Sequence, residues 1–98
     1  MAEVTIVYWR DIPAQVIVGK GRKAAKLQLS ERFEQAIDRA AMKSGAAETD
    51  DYLAEWRRGT PYSQEGDDQQ VAEAEMARIE AEYDTARLKS LIDNDGRA

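Results

Sequence analysis

The chain reads as an α+β domain: a small antiparallel β-hairpin or three-stranded sheet packed on a helix pair, with a long C-terminal helix. Three observations predict it. Two apolar, strand-like runs flank a Pro-containing turn near the N-terminus. Two segments of helical period follow, each running from a capping residue to a glycine. The final third is a charged helical run carrying only a narrow apolar stripe.

The first strand is "EVTIVYWR", residues 3–10. Alternation puts Val4, Ile6 and Tyr8 on one face and Thr5, Val7 and Trp9 on the other. Both faces are largely apolar, so the strand calls for cover on both sides. "DIPA" supplies a turn, where Pro13 lacks a donor. "QVIVG", 15–19, is a second strand, and 4–9 with 15–18 form an antiparallel hairpin. "AKLQL", 25–29, is a candidate third strand with Leu27 and Leu29 on one side.

The helices follow. Ser30 is a suitable N-cap and Glu31 suits the positive end of a helix dipole. Phe33, Ala36, Ile37, Ala40 and Ala41 then form an amphipathic face, and Gly45 stops the helix. "TDDYLAEWRRG" reads as a second helix, capped by Thr49, closed by Gly59, with Tyr52, Leu53 and Trp56 inward. From Asp67 a helical stretch runs to Ile92, and Asp67 with Gln70 resembles a capping box. Ala72, Met76, Ile79, Tyr83 and Ala86 repeat along it at seam-like spacing. Undivided, it would be about 40 Å long at about 1.5 Å per residue. These readings divide the chain into an α+β unit over 1–60, a linker over 61–66, a long acidic helix over 67–92 and a frayed tail over 93–98.

Composition bounds the chemistry. The 98 residues include neither Cys nor His. Disulfides, thiolate nucleophiles and His/Cys zinc or haem sites are therefore excluded, and the commonest general base is missing. No catalytic, cofactor-binding or metal-binding residue stands out. The chain contains no apolar run long enough to span a membrane, and a cytoplasmic location is expected. The net charge of −5 is unevenly spread. Residues 1–60 carry ten Lys/Arg against nine Asp/Glu, and residues 61–98 carry four against ten.

Against that acidic background, "VGKGRKAAKLQLSERF" concentrates positive charge. Lys20, Arg22, Lys23 and Lys26 lie within seven positions without an acidic residue among them. Gly19 and Gly21 would let backbone N–H groups turn toward an anion. The spacing of a phosphate-binding P-loop is absent. The bland alternative is a solvated hairpin turn with its usual Gly and Lys. The sharper reading makes Arg10, Lys20, Arg22, Lys23, Lys26 and Arg32 one anion- or partner-binding surface. Met76, Ile79 and Tyr83 would be a second surface, a helix seam for a homodimer or a partner helix.

Two further patterns were weighed. Strand, helix, Gly turn, helix is the layout of ribbon-helix-helix DNA-binding domains, with Lys26 and Gln28 as outward, base-reading positions. The hydrophobic hairpin before that strand and the acidic C-terminal arm count against it, so nucleic acid is an unfavoured partner. Asp50/Asp51 and Asp67/Asp68 sit at helix starts, which explains their charge, and "DNDG" lacks the rest of a calcium loop. Trp9 or Trp56 could sit partly exposed at a protein interface.

"VTIVYWRDIPAQVIVG", "GRKAAKLQLSERFEQAIDRAA" and "DDYLAEWRRG" together resemble the small bacterial "virulence factor" domain family, over roughly residues 2–60 and part of the last helix. Members of that family occur alone or at the N-terminus of larger helical-repeat virulence-associated proteins. The resemblance implies no molecular mechanism and carries over no catalytic residue. It links standalone members with one-carbon gene clusters. The expected function is a non-catalytic accessory or adaptor module that binds another protein, in a virulence or one-carbon context. The alternatives are a ribbon-helix-helix-like regulator and a small subunit of an enzyme complex.

Overall fold

A computed structural model describes residues 2–46 and 48–98. The chain order is β1 (Ala2–Trp9), β2 (Ile12–Val18), a 3-10 turn (Gly21–Lys23), β3 (Ala25–Gln28), α1 (Glu31–Ser44), α2 (Thr49–Ala54), β4 (Trp56–Arg58), β5 (Tyr62–Gln64), α3 (Asp68–Glu82) and α4 (Thr85–Asp93). The sheet is antiparallel throughout, in the order β3-β2-β1-β4, and β5 extends the β4 edge by pairing with the other end of β1.

The α+β class is as the sequence predicts, but the sheet is wider, with five strands. The hairpin is also tighter than expected. Only Arg10 and Asp11 separate Trp9 from Ile12, and Arg10 takes a left-handed φ of 53°. Pro13 consequently lies inside β2, opposite Tyr8, where the register slips by one residue. A residue without an N–H is tolerated at such a bulge because the ladder is already interrupted there.

Cross-strand register defines two faces. On one, Ala2, Val4 and Ile6 of β1 sit beside Val16 and Val18 of β2, all buried, with Tyr8 beyond them. This face is covered by α3, through Val71, Ala72 and Ile79. On the other lie Thr5, Val7, Gln15, Ile17, Lys26 and Gln28. Its Trp9 end is covered by α2, and Ile17 is buried on it as well. The Trp9 ring stacks on Tyr52 at 5.8 Å, and its indole N–H donates to the Tyr52 carbonyl at 2.9 Å.

Helix α1 begins after Ser30 and ends at Gly45 in the left-handed conformation, as read from sequence. Phe33, Ala36, Ile37, Ala40 and Ala41 are all buried, packed mainly against β2 and α4. The second helix is shorter than expected. It stops at Ala54, and Trp56–Arg58 form β4 against β1. The open edge of β1 outcompetes the last helical turn. Three ladder pairs form, and the Gly59 N–H reaches the Ile6 carbonyl at 2.8 Å. Leu53, expected inward, is 58% exposed. Helix α2 starts at Thr49 with Glu48 at the N-cap position, so Thr49 is not the cap.

The C-terminal third does not stand apart. Residues 62–64 of the expected linker are β5. The helical stretch 67–92 is present as α3 and α4, broken at Tyr83 and Asp84. Asp84 caps α4 by accepting from the Arg87 N–H, as Asp67 caps α3 by accepting from that of Gln70. The break lets α3 lie on the sheet while α4 turns against α1, and one hydrophobic core runs through both. The terminal residues are tied in as well. The Gly96 N–H donates to the Leu91 carbonyl at 2.6 Å, and the Gly96 carbonyl accepts from Asp11 N–H at 2.8 Å.

Candidate functional site

The basic surface read from sequence separates into two kinds of residue. Lys20, Arg22, Lys23 and Lys26 are exposed along the turn that leads into β3, at one edge of the sheet. Gly19 and Gly21 take positive φ of 99° and 70°, which glycine alone adopts without strain, and the chain folds into the 3-10 turn. Among the described residues, the only ion pair these four make is Lys20 with Glu3, at 3.6 Å. No carboxylate pairs with Arg22, Lys23 or Lys26 among the described residues.

The turn is not a phosphate cradle, however. Gly19 spends its N–H on the Glu3 carbonyl at 2.9 Å. The Asp68 carboxylate packs so closely that a Cβ on Gly19 would meet Oδ2 at 2.6 Å. The start of α3 therefore abuts the loop through backbone and carboxylate packing, without ion pairs to the loop's cations.

Arg10 and Arg32 belong elsewhere. The Arg10 side chain is only 11% exposed. It donates to the Asp95 carbonyl at 2.7 Å, lies 4.9 Å over the Trp9 ring and approaches the Glu55 carboxylate at 3.3 Å. It therefore ties the hairpin turn to the C-terminal segment. Arg32 closes on the end of α3, donating to the carbonyls of Tyr83 and of Glu80, the latter at 2.6 Å, and to the Glu80 carboxylate at 3.1 Å. A guanidinium on the last carbonyls of a helix satisfies acceptors that have no intrahelical partner.

Glu80 completes this clasp. Its carboxylate accepts from the Ser30 N–H at 2.7 Å and the Ser30 hydroxyl at 2.8 Å. Ser30 thus holds the N-cap position without capping through its own side chain, and Glu80, fifty residues away, receives its donors. Partial burial of Glu80 works against its charge, but the Ser30 and Arg32 donors outweigh it and hold the carboxyl below the usual glutamate range.

The candidate seam is part of the domain's own core. Ile79 is buried, and Met76 and Tyr83 are half-buried against the same cluster, with Tyr83 6.0 Å from Phe33. A stripe narrow enough to resemble a coiled-coil seam here covers one sheet face. Its flank carries a group that spacing did not reveal. Glu75 is 6% exposed, and its carboxylate accepts from the Tyr62 hydroxyl at 2.9 Å and from Arg78 Nε at 2.6 Å. Arg78 also reaches Glu82 at 2.9 Å. Burial, then the bond to Glu75, push the Tyr62 hydroxyl up, so it stays a donor. Both acceptor oxygens of this buried carboxylate are satisfied, which marks the network as structural.

Lys26 and Gln28 do point outward, as the DNA-binding layout requires, on the sheet face that lacks a covering helix. But β3 is already paired with β2 of its own chain, so an intermolecular ribbon would have to use its opposite edge. Among the described residues, no cluster of acidic side chains is placed to hold a metal ion, and no helix is long and apolar enough to cross a membrane.

The fold is that of a small α+β domain, with α3 on one sheet face, α2 over the Trp9 end of the other, and part of that second face uncovered. The chain belongs to the family described as "Virulence factor", which matches residues 7–92. The match extends well past residue 60, through α3 and α4. That agrees with a core shared between the sheet and both C-terminal helices. No curated protein and no solved structure matches the chain.

Proposed function

We propose that the protein is a non-catalytic module that docks an acidic surface of a protein partner. It does so with the basic turn and the uncovered sheet face beside it. The observation that carries this reading is the coincidence of two features. Arg22, Lys23 and Lys26 are exposed and lack carboxylate partners among the described residues. They adjoin a face on which Thr5, Val7 and Gln15 are only half-buried. A surface arranged for solubility alone intersperses the two signs of charge. Arg58, in register with Val7, adds another exposed cation to the same face.

The test is a triple charge reversal, Lys20→Glu, Arg22→Glu and Lys23→Glu, with stability and partner capture measured on the same preparation. Capture from the native host, followed by mass spectrometry, identifies the partner. Stability should hold, because exposed ion pairs contribute only about 0–1 kcal/mol. Affinity for the captured partner should fall, mainly through a slower association rate. If association is unaffected by the reversal, the turn is only a solvated connection.

A further inference from the structure

We propose that a second site, a cleft walled by β1, β4 and α4, binds a small phosphorylated anion through Arg57 and Arg87. Each of these guanidiniums sits over a tyrosine ring. Arg57 stands opposite Tyr8 in the β1–β4 register, with its guanidinium 4.6 Å from the ring centre. Arg87, in the first turn of α4, reaches back over the break to Tyr83 and lies 3.9 Å over that ring. All four residues line one cleft of about 330 Å³, together with the Asp11 carboxylate that pairs with Arg57, and with Gly59, Thr60, Leu91 and Ala98. The cleft opens on the β4 edge of the sheet, across from the β3 edge that carries the basic turn. This proposal is therefore independent of the function proposed above.

The two arginines differ in how far their own chain satisfies them. Arg57 donates to the Arg10 carbonyl at 2.8 Å and to Asp11 at 2.9 Å, which fixes the fork and spends part of its charge. Asp11 also accepts from the Ala98 N–H at 2.7 Å, and these donors hold its carboxyl below the usual range, so it remains Arg57's counterion. Arg87 makes one long bond, 3.4 Å to the Glu82 carbonyl, and no carboxylate pairs with it among the described residues. A cation held in place by a ring but lacking an anion is preorganised to receive one.

Gly59 keeps the space open. A Cβ there would stand 2.9 Å from the Tyr8 ring and 3.3 Å from the Ile6 carbonyl. Burial, then the nearby Tyr83, push the Tyr8 hydroxyl up, so it remains protonated and able to donate. Two guanidinium forks, the Tyr8 hydroxyl and the Thr60 hydroxyl are thus donors along one small cleft. A phosphoryl group offers several acceptor oxygens in tetrahedral array and suits such a set better than a planar carboxylate does. The adjoining groove, which shares Arg87 and Leu91, brings up Arg97 and leaves room for the organic part of a phosphomonoester.

The test is an NMR titration of the full chain with inorganic phosphate and with phenyl phosphate, against sodium chloride at matched ionic strength. Saturable shifts are expected at the Arg57 and Arg87 Nε–H signals and at the Thr60 and Leu91 amides. Arg87→Gln should weaken binding about tenfold, the loss of one charge-assisted bond. Lys23→Gln, in the basic turn, should leave it unchanged. Shifts reproduced by chloride, shifts centred on residues 20–26, or an undiminished affinity in a folded Arg87→Gln variant would each overturn the proposal. Should that variant fail to fold, the positions of the wild-type shifts decide alone.

Discussion

The two faces of the sheet come from the same five strands and differ in what they have been given to do. On the α3 side, Val4, Val16 and Val18 are fully buried and Ile6 nearly so. On the other side, their immediate sequence neighbours Thr5, Val7 and Gln15 are half-buried, and Lys26 and Gln28 are exposed. Along β1 a one-residue step crosses from one regime to the other, whereas in β2 Ile17 of the second face is buried as well. The closed face carries the apolar burial that stabilises the domain. The open face contributes little to stability, so its composition is available for recognition. The same division sorts the arginines. Arg10, Arg32 and Arg78 are anchored to carbonyls or carboxylates, while Arg22 and Arg58 are exposed and form no ion pair among the described residues.

The largest effect should come from the helix layer behind the closed side. Phe33 is 1% exposed and touches Tyr83, where α3 ends. Phe33→Ala should destabilise the fold by about 3–5 kcal/mol, read as a lower midpoint in urea unfolding. Val7→Ala, on the open face, should cost less than about 1 kcal/mol in the same assay. Equal costs would mean that the open face is covered in solution, by a second copy or a partner.

Next in size is the buried network beside that face. Glu75→Ala removes the acceptor shared by Tyr62 and Arg78 and should cost about 2 kcal/mol, because the half-buried Tyr62 hydroxyl loses its acceptor while the exposed Arg78 keeps Glu82. Replacing Tyr62 with Phe removes one neutral donor and should cost about 1 kcal/mol. Thermal or urea unfolding of both variants checks the order. A Tyr62→Phe loss exceeding that of Glu75→Ala would show that the hydroxyl, not the carboxylate, organises the network.

The clasp between Ser30, Arg32 and Glu80 should give a smaller, pH-dependent effect. The Glu80 carboxyl is held below its ordinary value in the folded state. A carboxyl with a depressed folded pKa contributes stability that is present above its unfolded pKa. That contribution is lost as the pH falls through the folded value. Acid unfolding should therefore include a Glu80 component that begins below about pH 4.3. Glu80→Gln should remove this component and cost about 1 kcal/mol at neutral pH, the usual scale of a lost helix cap. Asp11, held low by Ala98 and Arg57, titrates in the same direction, so Asp11→Asn serves as the parallel measurement.

These features differ in how far they can be read from the chain alone. The α1 face and its Gly45 stop are legible because they are local: period, cap position and glycine all lie within one segment. Strand β4 is not, since three residues carry no usable alternation, and "WRR" joins the sheet only because β1 offers an edge. The α3–α4 break has a local signal, Asp84 as an N-cap inside a continuous helical pattern, which the apolar stripe running through it obscures. The cap that Glu80 supplies to α1 has no signal, because its partner is fifty residues away. Arg10 and Arg32 group with the basic turn by charge alone, and only tertiary carbonyls reveal their structural roles. The Tyr83–Arg87 contact that shapes the cleft spans the α3–α4 break, so helical spacing does not account for it.

The smallest effect on stability is expected where the effect on function is largest, at Lys26. Its side chain stands on the open face beside Ile17, on the edge strand, with no carboxylate partner among the described residues. Lys26→Glu removes no bond that the chain makes for itself, so stability should stay within about 0.5 kcal/mol of the parent. The substitution nevertheless changes the local charge by two units on the surface proposed to meet an acidic partner. Like charges across an interface slow encounter and disfavour docking, and the effect weakens as salt screens it. The expected pattern is an unchanged melt with slower association at low ionic strength, and a difference that shrinks as salt is added. Lys89→Glu, on the α4 side, controls for net charge because it makes the same change away from the open face. If both reversals slow association equally, the partner senses only the overall charge of the molecule. Docking at the open face requires Lys26→Glu to be the slower of the two.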